Sequence, residues 1–196
     1  MKALLALSRA IDGANERIFR IVMWLILIVT LVSSGNAGVR YLFDQSSNAW
    51  LELQWYLFSA IFLFCAAYTL KANEMVRIDV ISSRLSRRAQ AWIDVLGTVA
   101  FLMPITIMMA WLSWPVFMQA FTHDEMSSNA GGLILWPARL MVPLGFALLF
   151  LQGISELIKI VAFLTGDGPD PHAKEEGKSA EEMLADEIAK MRGGEA

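Results

Sequence analysis

The sequence predicts an all-α integral membrane protein with four transmembrane helices, amphipathic helices at the interface in the N-terminal and middle segments, and both termini cytoplasmic. Three observations predict it. The first is length: Leu51 to Leu70, LELQWYLFSAIFLFCAAYTL, is a nearly unbroken apolar run interrupted early by Glu52 and Gln54 and closed by Lys71. A hydrocarbon core of about 30 Å needs about 20 such residues, and a helix satisfies its own backbone there. Residues 21–39, roughly 91–118 and roughly 135–163 pass the same test. The second is composition, 56% hydrophobic against 18% charged, with a mean hydropathy of +0.50. A soluble fold would have to bury all four runs with too little polar chain to cover them. The third is the distribution of bases. Lys2, Arg9, Arg17 and Arg20 precede the first run, and Lys71, Arg77, Arg84, Arg87 and Arg88 follow the second. The other two loops offer only Arg40, with Arg139 just beyond, which puts both termini inside.

The chain divides into an N-terminal amphipathic segment (1–19), a membrane domain (20–164, with helices at about 20–41, 50–71, 89–118 and 135–164) and a flexible acidic tail (165–196). Leu4, Leu7, Ile11, Ala14 and Ile18 recur at three- and four-residue steps, the pattern of a helix lying on the membrane surface; a frayed extension is the alternative. Charges throughout the first twenty residues argue against a cleaved leader. The first spanning helix ends in Ser33, Ser34, Gly35, Asn36, Ala37 and Gly38. Small side chains there, Ser34 and Gly38 one turn apart, form a helix-packing surface, with Asn36 an interhelical hydrogen-bonding group or a transport ligand.

Trp50, Glu52 and Trp55 open the second helix. Ile78, Ile81 and Leu85 in the basic segment after it suggest a short interfacial helix; bases beside a spanning helix fix orientation, and no nucleic-acid partner is expected. Ser86 is a fitting N-cap for the third helix, in which Pro104 removes one backbone donor and should produce a kink. The loop from Gln119 to Gly132 has His123, Asp124 and Glu125, too few ligands for a metal site. The fourth helix starts near Trp136 and Pro137. Gly166, Gly168, Pro169 and Pro171 then mark a linker, and Ser179 with Glu182 makes a capping box for a short helix bearing Leu184, Ile188 and Met191. From Thr165 onward there are nine acids and four bases, so the net charge of −3 resolves into −5 on the tail and +2 on the rest.

Neither histidine, His123 or His172, lies in an apolar run, which removes a membrane haem site. Phosphate loops, CxxC pairs and nucleophile motifs are missing, so neither an enzyme nor a cofactor-bearing chain is expected. Cys65 is a packing residue. What remains is charge at helix ends. Glu52, Arg139 and Arg40 all fall at the outer face, and the expectation is a Glu52–Arg139 ion pair, with Arg40 competing, that fixes a docking surface for another protein. The alternative is that each charge snorkels separately. Asp94 and Glu156 near the inner face are either proton-relay groups or members of ion pairs.

The segments NAWLELQWYLF (48–58), NEMVRID (73–79) and SSNAGGLILWPARLMVPLGFALLFLQGISELIK (127–159), in this order over four apolar runs, resemble the small Q-type membrane subunit of tripartite ATP-independent periplasmic (TRAP) transporters. The resemblance spans roughly residues 10–163. Met75 stands where the family often has His, leaving Arg77 and Asp79 as the matched positions of that motif. The resemblance implies a bacterial inner-membrane scaffold in the lipid bilayer, working with a large many-helix membrane subunit and a periplasmic solute-binding protein. It also implies import of organic acids on a sodium gradient, with sodium held by the large subunit and no cofactor in this chain. The SSNAWLE and MSSNAGG segments resemble the branch associated with mannitol, chloroaromatic compounds and keto acids. Two other classes stay open on the residues alone: a self-sufficient four-helix channel or carrier using Asn36, Gln152 and Thr30, and a membrane anchor for an enzyme complex.

Overall fold

The computed structural model describes residues 2–44, 47–73, 85–166 and 168. Among them there is no strand, and four helices are long and apolar enough to cross a membrane. Helix α1 spans Lys2–Phe43 and α2 spans Asn48–Ala72. Helix α3 (Arg87–Gly97) continues through a π-helical turn, Thr98–Leu102, into α4 (Met103–Thr122), and α5 spans Trp136–Leu164.

The N-terminal segment and first spanning helix are not separate elements. Residues 2–43 make one helix of 42 residues, about 63 Å long at 1.5 Å per residue. Only the half from Ile21 onward is needed to cross a core of about 30 Å, so the first half extends beyond it as a stiff arm. Leu4 and Leu7 are about half exposed, whereas Ser8 and Asn15 are buried. The inward line of α1 is Ser8, Asn15, Val22, Val29, four residues each seven apart. A seven-residue spacing keeps one face turned to a neighbour in left-handed helix packing, and here the first two members are polar.

Helix α5 is the centre of the bundle. It packs against α1, α2 and α4, while α1 and α2 also pack on each other. Absent glycine side chains bring two neighbours close. A Cβ on Gly145 would lie 2.7 Å from the Leu63 Cβ of α2, and one on Gly153 would lie 3.1 Å from Leu102 at the π-helical turn. Such small-residue contacts matter in a bilayer, where apolar burial gives helices little reason to associate.

Ser86 caps α3 as expected, its Oγ accepting from the Ala89 N–H at 3.3 Å. Pro104 acts through the π-helical turn just before it: the Met103 N–H reaches back five residues to the Thr98 carbonyl. That wide turn absorbs the missing donor and the ring's steric demand within a continuing helix. Large apolar side chains face outward along α1 and α4, Trp111 being 77% exposed. In water such faces would be prohibitive; against lipid tails they are ordinary. The middle interfacial helix, with Ile78 and Ile81, and the capped helix of the tail lie outside the described residues.

Candidate functional site

Polar side chains concentrate at the two ends of the bundle. At the end holding the α1 arm, three layers of side chains join α1 to α5. Ser8 and Ser155 hydroxyls meet at 2.8 Å, and Ser155 Oγ also donates to Asp12 Oδ1 at 2.7 Å. The Gln152 carboxamide is fully used: its Oε1 accepts from Asn15 Nδ2 at 2.6 Å, and its Nε2 donates to Asp12 Oδ1 at 2.9 Å and Glu156 Oε1 at 2.8 Å. Lys159 closes the network, 2.8 Å from both Asp12 Oδ2 and Glu156 Oε1. Gln152 and Ser155 are completely buried. Each polar group therefore has the partner that burial demands.

The same arm is tied to α2. Lys71 Nζ lies 2.9 Å from Glu16 Oε2 and donates to the Asp12 carbonyl at 3.4 Å, while Arg20 pairs with Glu16 at 2.6 Å. Phe19 and Tyr68 stack beside them, centroids 3.8 Å apart and planes within 6°. Glu16 precedes the apolar run, and hydrogen bonds from Arg20 and then Lys71 hold its carboxyl down to about 2.

At the other end Glu52 is buried beneath the loop joining α4 to α5. Its Oε1 accepts from Ser127 Oγ and, at 2.8 Å, from Asn129 Nδ2, and its Oε2 accepts from the Leu133 N–H at 2.6 Å. The loop folds on itself, Ser127 N–H donating to the Leu133 carbonyl at 2.9 Å and Leu135 N–H to that of Glu125 at 2.9 Å. Asn48 Nδ2 reaches the Ala130 carbonyl at 3.0 Å and the Tyr56 hydroxyl that of Ile134 at 3.0 Å. The two SSNA tetrapeptides, 46–49 and 127–130, thus meet through Asn48 and the backbone of the second. Gly132 is required for the fit, because a Cβ there would come within 2.5 Å of Ser127 and 2.9 Å of Glu52 Oε1.

The expected Glu52–Arg139 pair does not form. Arg139 pairs with Glu125 at 2.5 Å, and Glu52 satisfies its charge with three loop donors. The loop supplies both partners, Glu125 on one side and Ser127, Asn129 and Leu133 on the other, and so separates the two charges. Arg40 is exposed, and among the described residues no acid pairs with it, so it does not compete for Glu52. Arg77 and Asp79 lie outside the described residues.

Among the described residues, no helix packs closely on the Ser34 and Gly38 side of α1. Ser34 is exposed, and a Cβ on Gly35 or Gly38 would meet nothing within 4 Å. Asn36 instead lines a groove of about 540 Å³ between the C-terminal end of α1 and the N-terminal end of α2, with Leu31, Val39 and Trp50. Glu156 belongs to the α1–α5 network, and Asp94 lies on α3. His123 Nδ1 contacts Thr122 Oγ1 and the Gln119 carbonyl. Among the described residues no group of three His, Cys, Asp or Glu side chains is placed to hold a metal ion.

The sequence reading missed the roles of Ser8, Asp12, Asn15, Ser155 and Lys159. The seven-residue spacing of Ser8, Asn15, Val22 and Val29 was the signal that could have found them, because it marks a helix face on which polar residues must find polar partners.

No curated protein sequence matches the chain. The model of the family described as tripartite ATP-independent periplasmic transporters, DctQ component, matches residues 29–163. The matched region holds the Glu52 clasp and the α5 half of the polar network, and the arm that carries Ser8, Asp12 and Asn15 precedes it. Since the match takes in most of the chain, the protein belongs to the DctQ component family: it is the small permease subunit of a tripartite transporter, a transporter component rather than an enzyme.

Proposed function

We propose that this subunit is the scaffold of a secondary transporter that imports organic acids on a sodium gradient. In this reading a large many-helix membrane subunit holds substrate and sodium, and a periplasmic solute-binding protein delivers the solute. The chain sits in the bacterial inner membrane with both termini inside, supported by Lys2, Arg9, Arg17, Arg20, Lys71, Arg87 and Arg88 gathering at one end of the bundle.

The observation that carries the scaffold reading is where the polar side chains go. Gln152, one of the few groups that a carrier would use to line a path, is consumed by Asn15, Asp12 and Glu156. Glu52 is consumed by the loop over it. The apolar faces of α1 and α4 meanwhile point out of the bundle, the side on which a membrane partner or lipid would lie.

The test is to tag the chain, extract native membranes in mild detergent and identify what co-purifies. A stoichiometric membrane protein with about a dozen apolar segments is expected. In proteoliposomes supplied with the solute-binding protein, sodium-gradient uptake of a carboxylate then requires both membrane chains. Uptake by this chain alone would overturn the scaffold reading.

A further inference from the structure

We infer that the acidic C-terminal segment, residues 169–196, docks back onto the arm of α1, over the groove between α1 and α5. The groove has a volume of about 300 Å³ and is lined by Leu5, Ser8, Arg9 and Asp12 of α1 and by Lys159, Ala162 and Gly168. It lies on top of the polar network that holds the arm.

Three observations assign the tail as the occupant. The first is where the described chain ends. Gly166 has φ of +82°, a left-handed conformation open to glycine, and it reverses the chain after α5. Gly168 consequently lies against Ala162, where a Cβ would be 3.0 Å from that of Ala162, and lines the groove itself. The tail therefore departs from the groove.

The second is charge. Arg9 lines the groove and Lys2 lies two turns before it on α1; both are exposed, and among the described residues no acid pairs with either. Asp12 is occupied by Lys159, Gln152 and Ser155, Glu156 by Lys159 and Gln152, and Glu16 by Arg20 and Lys71. Free positive charge thus edges the groove, and the tail supplies Asp170, Glu175, Glu176, Glu181 and Glu182 within its first half.

The third is apolar complementarity. Leu5 and Ala162 give the groove apolar lining, and the sequence of the tail carries Met183, Leu184 and Ile188. A segment tethered at the groove has an effective concentration on the order of millimolar, so weak exposed ion pairs suffice to hold it. The docked tail would cover the network and keep the arm seated on α5.

The test uses the full chain in nanodiscs of phosphatidylethanolamine and phosphatidylglycerol, with Cys65→Ser and spin labels on Ala10→Cys and Ala189→Cys. Electron-electron distances are expected to show a short, narrow population at low salt that shrinks as salt screens the contact. Lys2→Glu with Arg9→Glu should reduce that population by about tenfold, and adding Glu181→Lys with Glu182→Lys should restore it. A distribution that ignores both charge reversal and salt overturns the proposal, as does failure of the swap to restore the population. If the short population exists in phosphatidylethanolamine alone and vanishes with phosphatidylglycerol present, an anionic lipid is the occupant and the proposal also falls.

Discussion

Replacing Gln152 by leucine tests whether the buried network, rather than apolar packing, seats the α1 arm. The side chains are similar in volume, so the change is mainly chemical. Three hydrogen bonds disappear, at 2.6, 2.9 and 2.8 Å. Their former partners fare differently. Asp12 keeps Ser155 and Lys159, and Glu156 keeps Lys159, so each carboxylate loses one donor and retains at least one. Asn15 is 3% exposed, and its Nδ2 loses the one acceptor it has among the described residues. An orphaned buried donor costs about 1–3 kcal/mol, and each lost hydrogen bond that is otherwise compensated about 0.5–1.5 kcal/mol. The sum is about 2–6 kcal/mol, concentrated where the arm meets α5. In hydrogen exchange on the protein in nanodiscs, amides of residues 5–16 should lose protection by about 30-fold at the low end of that range and by about 20,000-fold at its top. Those of residues 22–43 should change far less. Adding Asn15→Leu removes the orphan, so the double variant should be more stable than the sum of the singles implies, by about 1 kcal/mol or more. Strictly additive losses, or protection lost evenly along α1, would refute the reasoning.

Three further outcomes follow from the geometry. Glu52→Gln should expose the Leu133 amide to exchange about tenfold faster, because a donor must now face one of three donors, and Glu52→Ala should go further; equal effects at Leu133 and at mid-helix amides would count against the clasp. In thermal unfolding, Arg139→Gln and Glu125→Gln should couple by up to about 1 kcal/mol, as expected of side chains 30% and 27% exposed, whereas Arg139→Gln and Glu52→Gln should simply add. Gly145→Ala should destabilise the α2–α5 contact by about 1–3 kcal/mol, since a Cβ meets Leu63 at 2.7 Å, while Gly38→Ala should leave unfolding of the isolated chain unharmed.

The four spans were legible because bilayer thickness fixes helix length and because a run such as 51–70 has no soluble alternative of comparable stability. Interior geometry was harder to read. In the arm, Leu4, Leu7 and Ile11 suggested a face laid on the membrane surface, and their spacing carried no sign that the polar residues between them would be enclosed. Leu4 and Leu7 lose little by facing outward at a membrane edge, whereas Ser8 and Asn15 must be hydrogen-bonded wherever they are enclosed. Glu52 was singled out as a charge at a helix end, and its partners in the structure are not the one expected. Complementary charge suggested Arg139, yet a buried carboxylate is satisfied equally by neutral donors, and the fold of the 123–135 loop that delivers them is not encoded in spacing. Ser34 and Gly38 illustrate the remaining gap. A small-residue surface can be read from one chain, but whether it is covered depends on what else stands beside it.

These placements divide the labour between the ends and the middle of the bundle. Between lipid tails and apolar side chains there is little difference in solvation, so the middle of a bundle gains cohesion from close packing alone, as at Gly145 and Gly153. Packing of that kind tolerates sliding by a turn unless something fixes register. The Ser8–Asp12–Asn15 line against Gln152–Ser155–Lys159 fixes α1 against α5 at one end. The loop on Glu52 fixes α2 against the start of α5 at the other. A helix held at both ends by hydrogen bonds with specific geometry cannot slide or rotate without breaking several at once. That rigidity leaves α4 and the half of α1 from Ile21 onward, which among the described residues no comparable set of polar contacts spans, as the faces able to accommodate a moving neighbour while the rest of the subunit stays still.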